Sequence, residues 1–102
     1  MTVSERREEL ATRAIKAWGR TIQVRHIAEE STELSLAAQH LGNRADPLDW
    51  TAFIAKYADM EIMMEQAKQI ILDAGKDARQ RLHMARDSSM AKLERHLIEA
   101  DS

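Results

Sequence analysis

The chain has 102 residues, with 15 Lys and Arg against 17 Asp and Glu, a formal net charge of −2 and no cysteine. That length suits one domain, here residues 1–102, able to fold without staples if its helices pack well, and the lack of thiols excludes disulfides and thiolate metal sites. Interspersed charges argue against a general nucleic-acid binder; no apolar run approaches the ~20 residues of a bilayer span, and the N-terminus lacks a signal-peptide core. A soluble, cytoplasmic protein is expected.

Glycine occurs three times and proline once, while Ala, Leu, Ile, Met, Glu, Lys, Arg and Gln dominate, which is the vocabulary of helices. Thr2-Val3-Ser4-Glu5 has the form of a capping box and predicts a first helix from Val3 to Trp18, ended or bent at Gly19. A second helix should carry Thr21 to Leu41, stopping at Gly42-Asn43, two residues that tolerate the left-handed conformation. Its apolar stripe reads as Val24, Ile27, Leu34, Ala38 and Leu41. Asp46 as cap, Pro47 at the first helical position and Asp49 in the first turn announce a third helix, running to about Gly75. Trp50 and Phe53 read as packing residues, and Met60, Met63 and Met64 as adaptable fillers. A fourth helix, from about Asp77 to Glu99, keeps a thin apolar side of Leu82, Ala85, Ser89, Met90, Leu93 and Leu97. The expected fold is all-α, a four-helix bundle whose exposed apolar surface a second copy would cover.

The second helix carries the chemistry. Glu29, Glu30 and Glu33 fall within about one turn, so they converge on one ridge and repel one another unless something positive joins them. Glu30 borders the apolar stripe, Glu33 lies one step round and Glu29 is furthest toward solvent. On the third helix Asp59 is embedded in an apolar run, where an unpaired buried carboxylate would be costly. A divalent cation shared with Glu30 and Glu33 would remove that cost, and Mg²⁺ prefers such hard oxygen ligands. Equally, three acids on one helix suit a plain solvated face. His26, one turn ahead, could be a ligand but better suits a polar partner for the acids.

Glu29-Glu30-Ser31-Thr32-Glu33, followed by Ala58-Asp59-Met60-Glu61-Ile62-Met63-Met64-Glu65-Gln66, resembles the MazG-like, all-α nucleoside triphosphate pyrophosphohydrolases. Ala14-Ile15-Lys16-Ala17-Trp18-Gly19 with Gln23, and Lys92-Leu93-Glu94-Arg95, extend the likeness over most of the chain. The resemblance implies a helical bundle, a homodimer or homotetramer, cleaving (d)NTP to (d)NMP and pyrophosphate with Mg²⁺ or Mn²⁺. It implies Glu30, Glu33 and Asp59 as metal ligands, with Glu29 close by. The fourth ligand position, Glu in the family, is Lys56 here, and a protonated lysine cannot coordinate a cation.

Lys56 leaves two outcomes. Three carboxylates hold the metal while Lys56 turns aside or contacts phosphate, or the ammonium takes the metal's place and leaves a non-catalytic nucleotide-binding or assembly protein. In the first case Glu29 or Glu33 could serve as general base. Lys68, Arg79 and Arg86 could bind phosphate oxygens, or form a solvated basic face. Trp18 reads as core or as an aromatic wall for a base near Gln23. A di-iron carboxylate bundle is disfavoured because the Glu-x-x-His spacing is missing.

Overall fold

The computed structural model describes residues 1–101. Four helices and, among the described residues, no strand make up the chain: α1 (Val3–Trp18), α2 (Arg20–Asn43), α3 (Pro47–Asp73) and α4 (Lys76–Asp101). The all-α expectation holds. No helix of the described residues is long and apolar enough to cross a membrane. Two compact units divide the chain, Met1–Ile70 and the stretch from Ile71 onward.

Local sequence dictates most helix ends in the first unit. Both halves of the predicted capping box form: the Glu5 N–H donates to Thr2 Oγ1 and the Thr2 N–H to Glu5 Oε1, each at 3.1 Å. Gly19 joins α1 to α2 at φ 85°, a conformation disfavoured for a residue with Cβ, and its N–H closes α1 on the Ile15 carbonyl at 2.8 Å. Asp46 caps α3 by accepting from the amides of Leu48 and Asp49. Asp49 reaches back to the Asp46 N–H (3.3 Å) and accepts from Arg44 Nη2 at 2.6 Å.

The stop of α2 differs from expectation. Gly42 and Asn43 remain helical, and the left-handed residue is Ala45, at φ 55°. Arg44 and Asp46 on either side are both tied to Asp49, so the turn is fixed by side-chain bonds and Ala45 takes the conformation they leave.

Helices α2 and α3 form an antiparallel hairpin, registered by Lys56 against Glu33 (2.8 Å) and by the Ser31 hydroxyl on Met60 Sδ (3.8 Å). The less exposed stripe of α2 is Gln23, Ile27, Glu30, Leu34, Ala37 and Leu41. It is rotated from the expected one, since Val24 is half exposed and Ala38 exposed. Asp49, Phe53, Lys56, Met60 and Met63 form the corresponding stripe of α3. Both repeat at alternating steps of three and four, so polar Gln23, Glu30 and Lys56 occupy positions that an apolar count skips. Helix α1 meets α3 through Gln69, which accepts from the Thr12 hydroxyl (2.7 Å) and donates to the Glu8 carbonyl (2.9 Å), and through Arg7 and Glu61 at 3.6 Å.

In the second unit, Gly75 turns the chain at φ 113° and the Arg79 Nε donates to the Leu72 carbonyl at 3.0 Å. Helix α4 buries no residue. Leu82 is half-buried, while Met90, Leu93 and Leu97 are exposed. The apolar residues that are buried are Ala11 and Ala37.

Candidate functional site

The α2–α3 hairpin assembles the predicted acids around Lys56. The Lys56 Nζ donates to Glu33 Oε2 at 2.8 Å and lies 3.9 Å from Asp59 Oδ2. Its hydrogen bond and charge hold the Glu33 carboxyl below the usual range, and Glu33 in turn raises Lys56. Glu30 behaves oppositely. Burial, then the charges of Glu33 and Asp59, push its carboxyl up, and a hydrogen bond shared with the Glu33 carboxyl adds to this, although Lys56 opposes them. Its Oε2 is buried with no hydrogen-bond partner. One ammonium therefore serves three carboxylates and leaves the most enclosed oxygen unsatisfied.

Two expectations are corrected. Asp59 is not buried: its side chain is 53% exposed. Met60 and Met63 are less exposed while Ile62 and Met64 face out, so an apolar run in sequence is not an apolar surround in space. His26 forms no hydrogen bond or ion pair with the acids among the described residues, and Lys56 takes that role.

The donors suit a hard divalent cation, and the unpartnered Glu30 Oε2 gives it something to satisfy. As arranged, however, no three His, Asp or Glu side chains among the described residues form a group able to hold an ion. Coordination would require the Lys56 ammonium to leave and the carboxylates to close.

The other predicted residues scatter. Glu29 is exposed on the same helix. Gln23 is 1% exposed with Nε2 unpartnered, ten positions before Glu33. Trp18 is largely exposed and lines a cleft between α1 and α3. Lys68 is committed to the buried Glu65 carboxylate at 3.0 Å. Arg79 and Arg86 belong to the second unit, Arg79 bonded to the Leu72 carbonyl and Arg86 beside a groove with Leu82 and Met90.

Two residues escaped the sequence reading. Gln66 and Arg13 line the Trp18 cleft. The signal for Gln66 was its place seven residues after Asp59, on the same ridge of α3. Nothing comparable marked Arg13. No family model, no curated protein and no solved structure matches this chain.

Proposed function

We propose that the chain is a divalent-cation-dependent nucleoside triphosphate pyrophosphohydrolase, cleaving (d)NTP to (d)NMP and pyrophosphate in the cytoplasm and clearing the nucleotide pool. The observation that carries this is Glu30: a buried carboxylate oxygen with no partner, in a three-acid cluster to which the hairpin supplies a single positive charge. Such a cluster is short of cationic charge. Glu30, Glu33 and Asp59 would hold Mg²⁺ or Mn²⁺, which supplies neutralisation of the triphosphate and a water of lowered pKa. Lys56, released from Glu33, is long enough to turn its ammonium to a phosphate oxygen. Glu33 or Glu29 accepts the proton of the attacking water.

The active species is a homodimer or a pair of dimers. Its support is the poor apolar burial of the single chain, where Leu36, Ile54, Leu93 and Leu97 all stand more than half exposed.

Pyrophosphate release from a panel of dNTPs with Mg²⁺ tests the activity. Glu33→Gln should reduce it by about 10² to 10⁴-fold, the span of a lost general base. No release from any canonical or modified nucleotide overturns the proposal. The 2.8 Å bond between Lys56 and Glu33 favours a second reading, a nucleotide-binding relative that has exchanged its cation for a lysine.

A further inference from the structure

Lys56 borders two different surroundings. Its ammonium sits on the acids, 2.8 Å from Glu33 Oε2 and 3.9 Å from Asp59 Oδ2, while its side chain also lines an open groove of about 320 Å³ between α2 and α3. Leu36, Ala37 and Ala52 form the apolar walls of that groove, and His40 stands on α2 two turns beyond Glu33. Of the lining residues Glu33 alone carries a carboxylate.

A lysine has a flexible four-carbon stem, so rotation about its own bonds can swing the ammonium from the acids into the groove. The two positions are not equivalent. On the acids the ammonium is paired, whereas in the groove it would face apolar walls and a histidine, and moving a cation off its partner into such surroundings is costly. Left alone, Lys56 therefore stays on Glu33, where the structure has it. A divalent cation meets the converse obstacle. Glu30 Oε2 is buried and has no hydrogen-bond partner, which favours a cation there, but the ammonium repels a doubly charged ion and already occupies one Glu33 oxygen.

An oxyanion in the groove removes both obstacles at once. It gives the swung ammonium a charge-assisted partner, with an imidazole N–H of His40 as a further donor, and it leaves three carboxylates to the cation. We infer that Lys56 is an anion-released latch on the cation site: a phosphate-type oxyanion bound between Lys56 and His40 draws the ammonium off Glu33, so that anion and divalent cation bind with positive coupling and each binds poorly alone. The inference rests on the reading of Glu30, Glu33 and Asp59 as cation ligands and not on turnover. A carboxylate at position 56 would hold the cation whether or not an anion is present, whereas a lysine makes loading conditional on one.

Mn²⁺, followed through the paramagnetic resonance of the free ion, reads the coupling without any nucleotide. With inorganic phosphate exchanged for chloride at equal ionic strength, and a protein-free titration to subtract association of Mn²⁺ with phosphate, the dissociation constant for Mn²⁺ should fall at least about fivefold, the lower end of ordinary couplings. By linkage Mn²⁺ should tighten phosphate by the same factor. Lys56→Met and Lys56→Gln should each bind Mn²⁺ in chloride more tightly than the unaltered chain, and phosphate should no longer change that affinity; the glutamine keeps a donor for Glu33 should the methionine variant fail to fold. His40→Ala should weaken phosphate and leave Mn²⁺ affinity in chloride unchanged. Equal Mn²⁺ affinity in phosphate and in chloride overturns the inference. So does coupling that persists in the position-56 variants, which assigns it to direct contact between cation and anion. Failure to bind Mn²⁺ under either condition overturns it together with the cation site. Coupling without pyrophosphate release from any nucleotide leaves the latch standing and removes the catalytic reading; release by a chain whose Mn²⁺ affinity ignores phosphate does the reverse.

Discussion

Two ion pairs on the same helical hairpin have opposite characters. At its closed end Arg44 and Asp49 lie five residues apart in sequence, and the Asp49 carboxylate is complete: one oxygen takes the guanidinium at 2.6 Å, the other the Asp46 amide. Along the hairpin Lys56 and Glu33 lie 23 residues apart, and the same ammonium is also within 3.9 Å of Asp59 while Glu30 Oε2 has no hydrogen-bond partner. The first pair closes a turn and has no capacity left. The second is under-supplied with positive charge, and an under-supplied acidic cluster is where a ligand cation gains most.

The largest effect should come from reversing the charge at position 56. Lys56→Glu should tighten Mg²⁺ binding, read by calorimetry, by about tenfold or more, because a repelling ammonium becomes a ligand. Binding seen in that variant and absent from the unaltered chain would favour the non-catalytic relative. Equal binding in both would break the comparison, since Lys56 would then not control the cluster.

Acidification should act on Asp49 and on Glu30, the acid beside the second pair, with opposite sign. Arg44 holds the Asp49 carboxyl below its ordinary value. Its contribution to stability is therefore complete above about pH 4, the unfolded value, and is lost as pH falls toward the folded one. Glu30 is raised in the folded chain, so between its ordinary value, about 4.3, and its folded one the native state binds the extra proton and stability falls as pH rises. Melting temperatures followed across this range should show Asp49→Asn flattening the acid limb and Glu30→Gln flattening the decline above it. Identical profiles for the two variants would contradict the assigned causes.

The closed end can be dissected by smaller changes. Asp46→Ala removes both cap bonds of α3 and should destabilise the chain by about 0.5 to 2 kcal/mol in a denaturant titration. Ala45→Gly should have the smallest effect, about 1 kcal/mol stabilising at most. It relieves a left-handed alanine while adding freedom to the unfolded chain. A marked loss of stability there would mean that the alanine methyl makes a contact the turn needs.

Much of the fold was legible because its signals are local. Thr2 and Glu5, Asp46 and Pro47, and Gly19 and Gly75 each fix a helix end through bonds or dihedrals within a few residues, and those ends lie where the residues predict. The stop at Gly42-Asn43 was misplaced because the turn is held from outside it, by Asp49. The buried stripe of α2 was misjudged for a related reason. Apolar residues alone pointed to Val24 and Ala38, whereas polar Gln23 and Glu30 lie on the less exposed face.

The sequence by itself determined the helices, their caps and a ridge of three acids on α2, since spacing of three and four residues acts over one turn. Only the tertiary structure decided that Lys56 stands among those acids, that Asp59 is exposed and that Gln66 is buried with its Oε1 unpartnered. These depend on the register of α2 against α3 and on where α1 meets α3, contacts between residues some 20 to 60 positions apart. No local rule specifies them, because a one-turn slip would preserve every cap and every helix while exchanging each cross-helix pair.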